Sequence, residues 1–414
     1  MTPAPDDTIL GPQYKSIPPE AWGKSISEFV AARPRLSSIS TPVLTIDQRR
    51  LTNNIAAMAQ WTRAHSMLLA PHGKTTMAPQ LWQRQLDCGA WGITLATVWQ
   101  AQLARRFGIN RIVLANELIS KSGLHWVAGE LDTHPEFEFY CWADSLATVE
   151  LMEAALSTLG IDTAGIRVVV ELGATSGRTG ARSKSAALAV ATKVAESPLL
   201  TLAGVGGYEG VLGHDRSAEA VDRVNTYLRH LTELYHDVTR VFDTNQILSV
   251  GGSAYPDLVA TQTRNAIAAG AQVVLRSGAY LTHDDGFYEG ISPFSVHAAA
   301  SDSVQLTSAI HGWARVVSVP EADLALLDAG KRDLPYDEGL PSVQTGPRGP
   351  VNGTVTAMND QHTYVRSHDL NIGDVVRLGL SHPCTAFDKW RLIPVINDVD
   401  APDPVVVDFI HTYF

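Results

Sequence analysis

The 414-residue chain is 45% hydrophobic, enough for one large domain and a smaller one, each with its own core. Its formal net charge of -11 argues against a nucleic-acid-binding protein, which would carry a basic balance or a concentrated basic stripe. No apolar run approaches a membrane span, and residues 1–30 lack the basic start and apolar middle of a secretory signal. Three scattered cysteines cannot form a disulfide framework, so at least one thiol is free, and we expect a cytoplasmic protein.

Between residues 67 and 276, short apolar runs alternate with longer amphipathic segments, the pattern of strand-helix units around a parallel sheet. Intervening segments such as 77–86 have helical spacing and a length suited to a crossover connection. Eight strands with seven helices between them predict a closed TIM-type (β/α)8 barrel, and a doubly wound open sheet is the alternative. The predicted strands are 67–70, 91–95, 111–115, 137–142, 166–171, 202–208, 247–250 and 272–276.

After about residue 290 the sequence changes to alternating pieces rich in Val, Thr and Gly, such as 313–319, 363–365 and 374–378. This alternation predicts a second, mainly antiparallel β domain. The N-terminal segment up to about Leu36 is rich in proline, contains one short helical piece and is expected to pack against that domain. The predicted domains are therefore 38–289 for the barrel, and 1–37 with 290–414 for the β domain.

Lys74 follows the first predicted strand in the turn 72–75, before a helical segment. A lysine among small and apolar neighbours at the mouth of a strand is a candidate Schiff-base residue, because a partly desolvated ammonium loses its proton more readily. The free amine can then attack an aldehyde or remove an acidic proton. Taken alone, the residue also fits a solvated surface lysine.

Glycine-rich loops follow the seventh and eighth strands, where parallel barrels often hold phosphate groups. Gly251 and Gly252 let backbone N–H groups approach an anion, and Ser253 adds a hydroxyl donor. The eighth strand leads into Gly278 and Tyr280. With a lysine at the first strand, these loops indicate a phosphorylated aldehyde cofactor, although a Gly-Gly-Ser turn alone is an ordinary tight turn.

Two further side chains are predicted at the same rim of the barrel. Arg178 lies in the glycine-rich loop 171–180, and its guanidinium stays charged when partly buried, so it could hold a phenolate oxygen of the cofactor. Tyr208 ends the sixth strand among glycines and could line the cofactor or simply pack in the core.

His382 and Cys384 lie two residues apart near the C-terminus. In an extended segment both side chains would point to the same side and could bind one ion. Imidazole with thiolate suits zinc, and two protein ligands would leave positions open for water and substrate. A His-x-Cys pair is a weak motif by itself, since most such pairs bind no metal.

At these residues the sequence resembles the pyridoxal-phosphate enzymes of the alanine racemase-like (fold type III) barrel, and within them the D-serine dehydratase and D-threonine aldolase group. The His-x-Cys pair resembles the zinc site of D-serine dehydratase, whereas the aldolases of this group carry His-x-Asp with a harder divalent ion. Cys384 therefore favours elimination of water over retro-aldol cleavage. The resemblance covers nearly the whole chain, and its matching segments are 71–75, 177–180, 250–253, 277–280 and, most specifically, 381–390.

The resemblance implies pyridoxal 5'-phosphate and zinc as cofactors, with Lys74 forming the Schiff base and acting as the catalytic base. Arg178 would face the ring oxygen of the cofactor, and Tyr208 would line the cofactor or the substrate. The segment 360–362 also resembles a recurring family segment, without an assigned role. The remaining implied ligands are Gly251, Gly252, Ser253, Gly278 and Tyr280 for the cofactor and its phosphate, and His382 and Cys384 for zinc.

The implied activity is that of a dehydratase acting on a D-3-hydroxy amino acid, with D-serine giving pyruvate and ammonia. The alternatives are a D-threonine-type aldolase giving glycine and an aldehyde, a D-threo-3-hydroxyaspartate dehydratase, and a non-catalytic cofactor-binding protein. A stand-alone barrel of the last kind would lack the β domain and the His-Pro-Cys block. Related enzymes pair head to tail, so the resemblance also implies a homodimer.

Overall fold

The computed structural model describes residues 7–161, 165–175, 177–242, 246–296 and 304–414. The chain divides into two compact units. The β unit comprises Met1–Met58, Thr75–Arg84 and Ala279–Phe414, and the barrel unit comprises Ala59–Lys74 and Gln85–Gly278. Among the described residues, no helix is both long enough and apolar enough to cross a membrane.

The first elements are α1 (Ile26–Ala31), β1 (Val43–Asp47) and α2 (Gln48–Ala64). The short helix expected in the N-terminal segment is α1, and it begins with a capping box. The Glu28 N–H donates to the Ser25 hydroxyl at 3.1 Å, and the Ser25 N–H donates to the Glu28 carboxylate at 2.8 Å.

The barrel unit contains the eight predicted strands. They are β2 (Leu68–Leu69), β3 (Ile93–Leu95), β4 (Arg111–Glu117), β5 (Glu138–Ala143), β6 (Ile166–Leu172), β7 (Leu200–Gly207), β8 (Ile247–Val250) and β9 (Gln272–Leu275). All pair in parallel, from β3 through β9 in chain order, and β2 pairs with β9. Beyond β2, His72 forms a parallel bridge with Thr94, whose N–H donates to the Pro71 carbonyl at 2.9 Å. The sheet is therefore closed, which confirms the barrel over the open sheet.

Helices connect the barrel strands, and several begin at serine caps. Ser120, Ser145 and Ser183 each accept a hydrogen bond from the backbone N–H three residues later. In the described part of the chain the seven helices between β2 and β9 are α3 (Pro79–Asp87), α4 (Val98–Arg106), α5 (Lys121–Thr133), α6 (Leu146–Thr158), α7 (Lys184–Ala195), α8 (Ala218–Phe242) and α9 (Pro256–Ala268).

Alternate strand residues fill the interior of the barrel, because successive side chains of a strand point to opposite faces. The apolar cluster there consists of Ala70, Val113, Tyr140, Trp142, Val169, Ala203, Ile247 and Val274. On five of these strands, the residue two positions after a member of the apolar cluster, towards the carboxyl end, is polar and points to the same face. This polar layer is His72, Asp144, Glu171, Ser249 and Arg276.

The β unit continues with a short helix and a ten-stranded sheet that includes β1. The predicted pieces 313–319, 363–365 and 374–378 lie on three of its strands. Its remaining elements are α10 (Phe287–Ile291), β10 (Ile310–Glu321), β11 (Leu324–Leu327), β12 (Ser342–Gly346), β13 (Gly349–Pro350), β14 (Thr354–Met358), β15 (Thr363–Arg366), β16 (Val375–Gly379), α11 (Cys384–Phe387), β17 (Leu392–Ile396) and β18 (Val406–His411).

Strand pairing in the β unit is antiparallel except between β1 and β17, which are parallel. The mainly antiparallel second domain is thus confirmed. The N-terminal segment contributes to the same core, where the ring of Phe29 lies 6.1 Å from that of Phe409.

Candidate active site

Lys74 lies in a one-turn 3-10 helix, Gly73–Thr75, just beyond the carboxyl end of β2. Two residues earlier is His72, whose Nδ1 atom is buried and has no hydrogen-bond partner among the described residues. Burial, together with the charges of Lys74, Arg276 and Arg178, holds the pKa of His72 well below its usual range. A neutral imidazole therefore lies within electrostatic reach of three cations, an environment that suits an anionic ligand.

Arg276 is a candidate cofactor residue to which the sequence analysis gave no role. It is only 3% exposed, immediately follows β9 and lies 5.2 Å from the ring of Trp142. Its guanidinium donates to the Ser249 hydroxyl at 2.8 Å and to the Gly207 carbonyl at 2.6 Å. A charged residue two positions after the buried Val274 was the sequence signal that could have identified it.

The loops after β8 and β9 are joined by hydrogen bonds, so the structure brings Gly252 and Ser253 together with Gly278. The Gly278 N–H donates to the Ser253 hydroxyl at 3.2 Å, and the Ser277 hydroxyl donates to the Gly252 carbonyl. Gly251 has a φ of +95°, a backbone conformation that residues other than glycine rarely adopt.

Tyr208 and Arg178 lie beside each other and beside this turn. The Arg178 guanidinium is 5.4 Å from the Tyr208 ring, and a Cβ atom at Gly252 would come within 2.7 Å of that ring. The Gly252 N–H, however, donates at 2.8 Å to the carboxylate of Glu209, a buried residue not considered in the sequence analysis. Burial raises the pKa of Glu209.

Two glutamates from different strands meet at the carboxyl end of the barrel, and neither was predicted. Burial first, and then the charge of Glu171, raises the pKa of Glu117 to about 7. Burial also raises the pKa of Glu171. Asp144 lies close to both, and its carboxylate accepts hydrogen bonds from the Gly180 N–H and the Thr148 hydroxyl, each at 3.1 Å. The pair Glu117 and Glu171 therefore keeps a proton to a higher pH than two exposed glutamates would.

His382 and Cys384 lie in the β unit, at the turn that leads into α11. The segment is not extended as the sequence argument assumed: His382 has a φ of +70°, Pro383 is helical, and Cys384 is the first residue of α11. The Cys384 thiol lies 3.3 Å from the hydroxyl of Thr75, the residue that follows Lys74 in the chain. The predicted ligands are thus brought together by a tight turn instead of by strand alternation.

Two carboxylates hold this turn. Asp337 lies 2.6 Å from Nδ1 of His382 and accepts a hydrogen bond from the Thr385 hydroxyl at 2.5 Å. Asp284 accepts a hydrogen bond from the His382 backbone N–H at 2.9 Å. Burial favours the neutral ring, but the hydrogen bonds with Cys384 and Asp337 outweigh it and raise the pKa of His382 to about 9.

Within the described ranges, no group of three or more His, Cys, Asp and Glu side chains is arranged to hold a metal ion. His382 and Cys384 thus supply two candidate ligands at this turn. Tyr280 lies in the buried turn Ala279–Leu281 of the β unit. In the segment 360–362, Gln361 donates to the Asp333 carboxylate at 2.9 Å, which gives that segment a structural role.

Comparison with known proteins first identifies the C-terminal region: residues 309–396 match the family model described as "Putative serine dehydratase domain". The D-threonine aldolase of Arthrobacter sp is 27% identical over 88% of this chain and 90% of its own length. The 3-hydroxy-D-aspartate aldolase of Paracoccus denitrificans (strain Pd 1222) is 26% identical over 87% and 90%. The resemblance to the D-serine dehydratase and D-threonine aldolase group is confirmed. These homologues are lyases of D-hydroxy amino acids.

Solved structures agree on the fold. D-threonine aldolase from Filomicrobium marinum has a TM-score of 0.77 at 20% identity, covering 92% of this chain and 97% of that one. D-threo-3-hydroxyaspartate dehydratase from Delftia sp. HT23 has a TM-score of 0.73 at 20% identity, covering 92% and 99%. An alanine racemase-like protein from Idiomarina loihiensis has a TM-score of 0.69 at 17% identity, covering 90% and 96%. The chain thus has the alanine racemase-like fold.

Proposed function

We propose that the chain is a pyridoxal-phosphate- and zinc-dependent dehydratase of a D-3-hydroxy amino acid, with D-serine as the simplest substrate. The observation that carries this proposal is the pairing of an imidazole and a thiol, His382 and Cys384, in a turn supported by two carboxylates. Imidazole and thiolate are preferred zinc ligands. In addition, a cysteine-to-alanine variant of a D-threo-3-hydroxyaspartate dehydratase has been solved in a metal-free form.

The polar layer of the barrel fits pyridoxal phosphate. The buried Nδ1 atom of His72 has no hydrogen-bond partner among the described residues, and the ring lies near three cations, Lys74, Arg178 and Arg276. Their positive charges would balance the negative charges of the cofactor's phosphate and ring oxygen. When bound, the cofactor supplies an electron sink for the electron pair released at the substrate Cα atom. Lys74 would hold the cofactor covalently, Arg178 would face its ring oxygen, and the loops after β8 and β9 would hold its phosphate.

Lys74 has a second role in this proposal, because its amine is the base that removes the α-proton of the substrate. Tyr208, stacked beside Arg178, would exclude water from the side of the cofactor that it covers. The proton that Lys74 takes from the Cα atom would pass to the departing hydroxyl group, which leaves as water, so the Lys74 amine becomes free again.

His382 and Cys384 would hold the zinc ion, and its open positions would be available to the substrate hydroxyl and to water. When bound, the metal supplies Lewis acidity that makes the β-hydroxyl a better leaving group. The overall change removes one water and then adds one water back, so D-serine gives one pyruvate and one ammonia.

A second candidate is an aldolase that cleaves the Cα–Cβ bond and gives glycine and an aldehyde. It is favoured by the two relatives that match most of the chain, which are named as aldolases of D-threonine and of 3-hydroxy-D-aspartate. Cys384 favours the dehydratase, because the family resemblance implies aspartate at this position in the aldolases of the group. D-threo-3-hydroxyaspartate is a further substrate candidate, from the name of the solved dehydratase.

The deciding experiment incubates the purified protein, loaded with pyridoxal phosphate, with D-serine, D-threonine and D-threo-3-hydroxyaspartate. Oxo acid, ammonia, glycine and aldehyde are measured in parallel, before and after chelation and after adding back zinc. Oxo acid and ammonia that disappear on chelation and return with zinc support the dehydratase and rank its substrates. Glycine and an aldehyde instead would overturn the dehydratase in favour of the aldolase.

We also propose that the protein works as a cytoplasmic homodimer, by analogy with the head-to-tail pairing of related enzymes. Light scattering coupled to size exclusion chromatography measures the mass directly. A mass near 44.7 kDa, that of a single chain, would contradict the dimer.

A further inference from the structure

We propose that Asp337 and Asp284 are positioning residues of the metal site: Asp337 makes Nε2 the ligating nitrogen of His382, and Asp284 holds the His382 backbone. This inference rests on the proposed metal-dependent function. Neither aspartate lies in the His-Pro-Cys block itself, since Asp284 and Asp337 precede His382 by 98 and 45 residues.

Asp337 acts on the imidazole ring. Its Oδ2 atom lies 2.6 Å from Nδ1 of His382. A carboxylate can only accept a hydrogen bond, so Nδ1 keeps its proton and Nε2 is the nitrogen left to bind a metal. The ring is therefore presented to a metal in one tautomer and one orientation, the arrangement that carboxylates provide behind ligating histidines.

Thr385 fixes the carboxylate in turn. Its hydroxyl donates to Oδ1 of Asp337 at 2.5 Å, while Oδ2 faces the imidazole. Both carboxylate oxygens are thus engaged by the residues that flank Pro383 and Cys384. A side chain that only balanced surface charge would not need both oxygens bound to the same turn.

Asp284 acts on the backbone. It is 0% exposed, and its Oδ1 atom accepts hydrogen bonds from the N–H groups of Gly286 at 3.0 Å and Tyr288 at 2.9 Å. Its Oδ2 atom accepts from the His382 N–H at 2.9 Å. His382 has a φ of +70°, in the left-handed region that costs an L-residue about 1 kcal/mol or more. One buried carboxylate therefore ties the start of α10 to a histidine held in an unfavourable conformation.

The test measures zinc affinity of the full-length protein by competition with a chromophoric chelator, independently of catalysis. The variants are Asp337→Ala, Asp337→Asn and Asp284→Asn. Cys384→Ser removes the proposed thiolate ligand. Asp360→Asn is the matched control, because that carboxylate is 70% exposed and its ion pair is with Arg332.

The expected result is a loss of zinc affinity of about 10- to 100-fold in Asp337→Ala. A smaller loss is expected in Asp337→Asn, whose amide oxygen can still accept from Nδ1, and no loss in the Asp360 control. Cobalt-substituted Asp337→Ala should keep the thiolate charge-transfer absorption that Cys384→Ser lacks, because only the histidine ligand has been disturbed. Circular dichroism of the metal-free proteins shows whether each variant is folded. If Asp337→Ala is unfolded, the zinc affinity of Asp337→Asn is compared with that of the control instead.

Three outcomes separate the failures. If the Asp337 variants bind zinc as tightly as the control while Cys384→Ser does not, the positioning role of Asp337 is wrong and the metal site stands. If Asp284→Asn folds and binds zinc with unchanged affinity, the role of Asp284 is wrong. If the unaltered protein binds no zinc at all, the metal part of the proposed function fails, and the positioning role fails with it.

Discussion

The carboxyl end of the barrel and the turn at His382 are built in opposite ways. In the barrel unit the candidate residues come from the ends of several strands, such as Lys74 after β2 and Arg276 after β9. In the β unit, His382 and Cys384 are two residues apart, and the groups that support them come from distant parts of the unit. The first site is assembled by the fold, whereas the second is a local turn held by the fold.

This difference has consequences for mutation. In the barrel layer, charges from several strands balance one another, so removing one leaves the others buried and unpaired. At the turn, removing a supporting carboxylate should alter ligand geometry more than global stability.

The largest effect is expected for Lys74→Ala. Without this amine the cofactor has no covalent attachment and the α-proton has no base, so turnover should fall by a factor on the order of 10³ or more. The visible absorbance of the covalently bound cofactor should also be lost, and borohydride should no longer fix the cofactor to the chain. Lys121→Ala, at an exposed lysine that begins α5, is the control. Retained absorbance in Lys74→Ala would show that another lysine binds the cofactor.

Cys384→Ala should remove the thiolate ligand and with it the metal. We expect dehydration to fall about 100-fold or more, because the hydroxyl would then leave without a Lewis acid. Metal content by mass spectrometry and oxo acid release are measured together. Cys88→Ala is the matched control, since Cys88 is an exposed free cysteine. Full activity and full metal content in Cys384→Ala would remove the zinc site from the mechanism.

Cys384→Asp sharpens the same comparison. The turn is held from Asp284 and Asp337, so a carboxylate at residue 384 should be presented to a metal without rearrangement of the backbone. Oxygen ligands favour harder ions such as Mn²⁺ over zinc. We expect restored binding of Mn²⁺ and a larger share of glycine among the products, measured as the ratio of glycine to oxo acid. An unchanged ratio would mean that residue 384 does not decide which bond breaks.

Arg276→Ala should lower the global stability of the protein, in contrast to the substitutions at the His382 turn. The guanidinium is buried near Glu209 and Glu171, whose carboxylates would lose their counter-charge. We expect the free energy of unfolding of the cofactor-free protein to fall by about 3–5 kcal/mol, measured with denaturant. Arg264→Ala, on the exposed face of α9, should change it little. Equal values for the two variants would contradict a balanced charge layer.

Much of the fold could be predicted because apolar runs and their spacing are local properties. These local patterns predicted the eight barrel strands and the second β domain, whose alternating Val-, Thr- and Gly-rich segments begin after about residue 290. Lys74 and the turn Gly251, Gly252 and Ser253 were also recognisable, because each forms a short pattern with its neighbours in sequence. Their cofactor roles remain predictions.

The rest depended on contacts between distant segments. Arg276, Glu117 and Glu209 are single residues whose partners lie on other strands, so no local pattern marks them. The extended conformation assumed at His382 was wrong, because the Asp284 carboxylate, 98 residues earlier, accepts its N–H in the left-handed conformation. The residues of the polar layer lie two positions after apolar residues that face the barrel interior. Strand alternation would therefore have identified them, but only once the strand ends were known.

The smallest expected effect is a pH dependence at Glu117. Folding raises the pKa of this carboxyl from 4.5 to about 7, so the folded protein holds the proton more tightly than the unfolded chain does. The resulting stabilisation is complete below pH 4.5 and is lost as the pH rises through about 7. Glu117→Gln cannot ionise and should not show this loss.

Because Glu117 is partly exposed and shares its proton with Glu171, the difference should be modest, on the order of 1 kcal/mol. The measurement compares the free energy of unfolding of the cofactor-free proteins at pH 5.5 and pH 8. The unaltered protein and the exposed control Glu219→Gln should both lose more stability than Glu117→Gln over this interval. Identical losses in all three proteins would mean that Glu117 is ionised in the folded barrel, and the charge layer would then hold one more negative group than Arg276 and its neighbours balance.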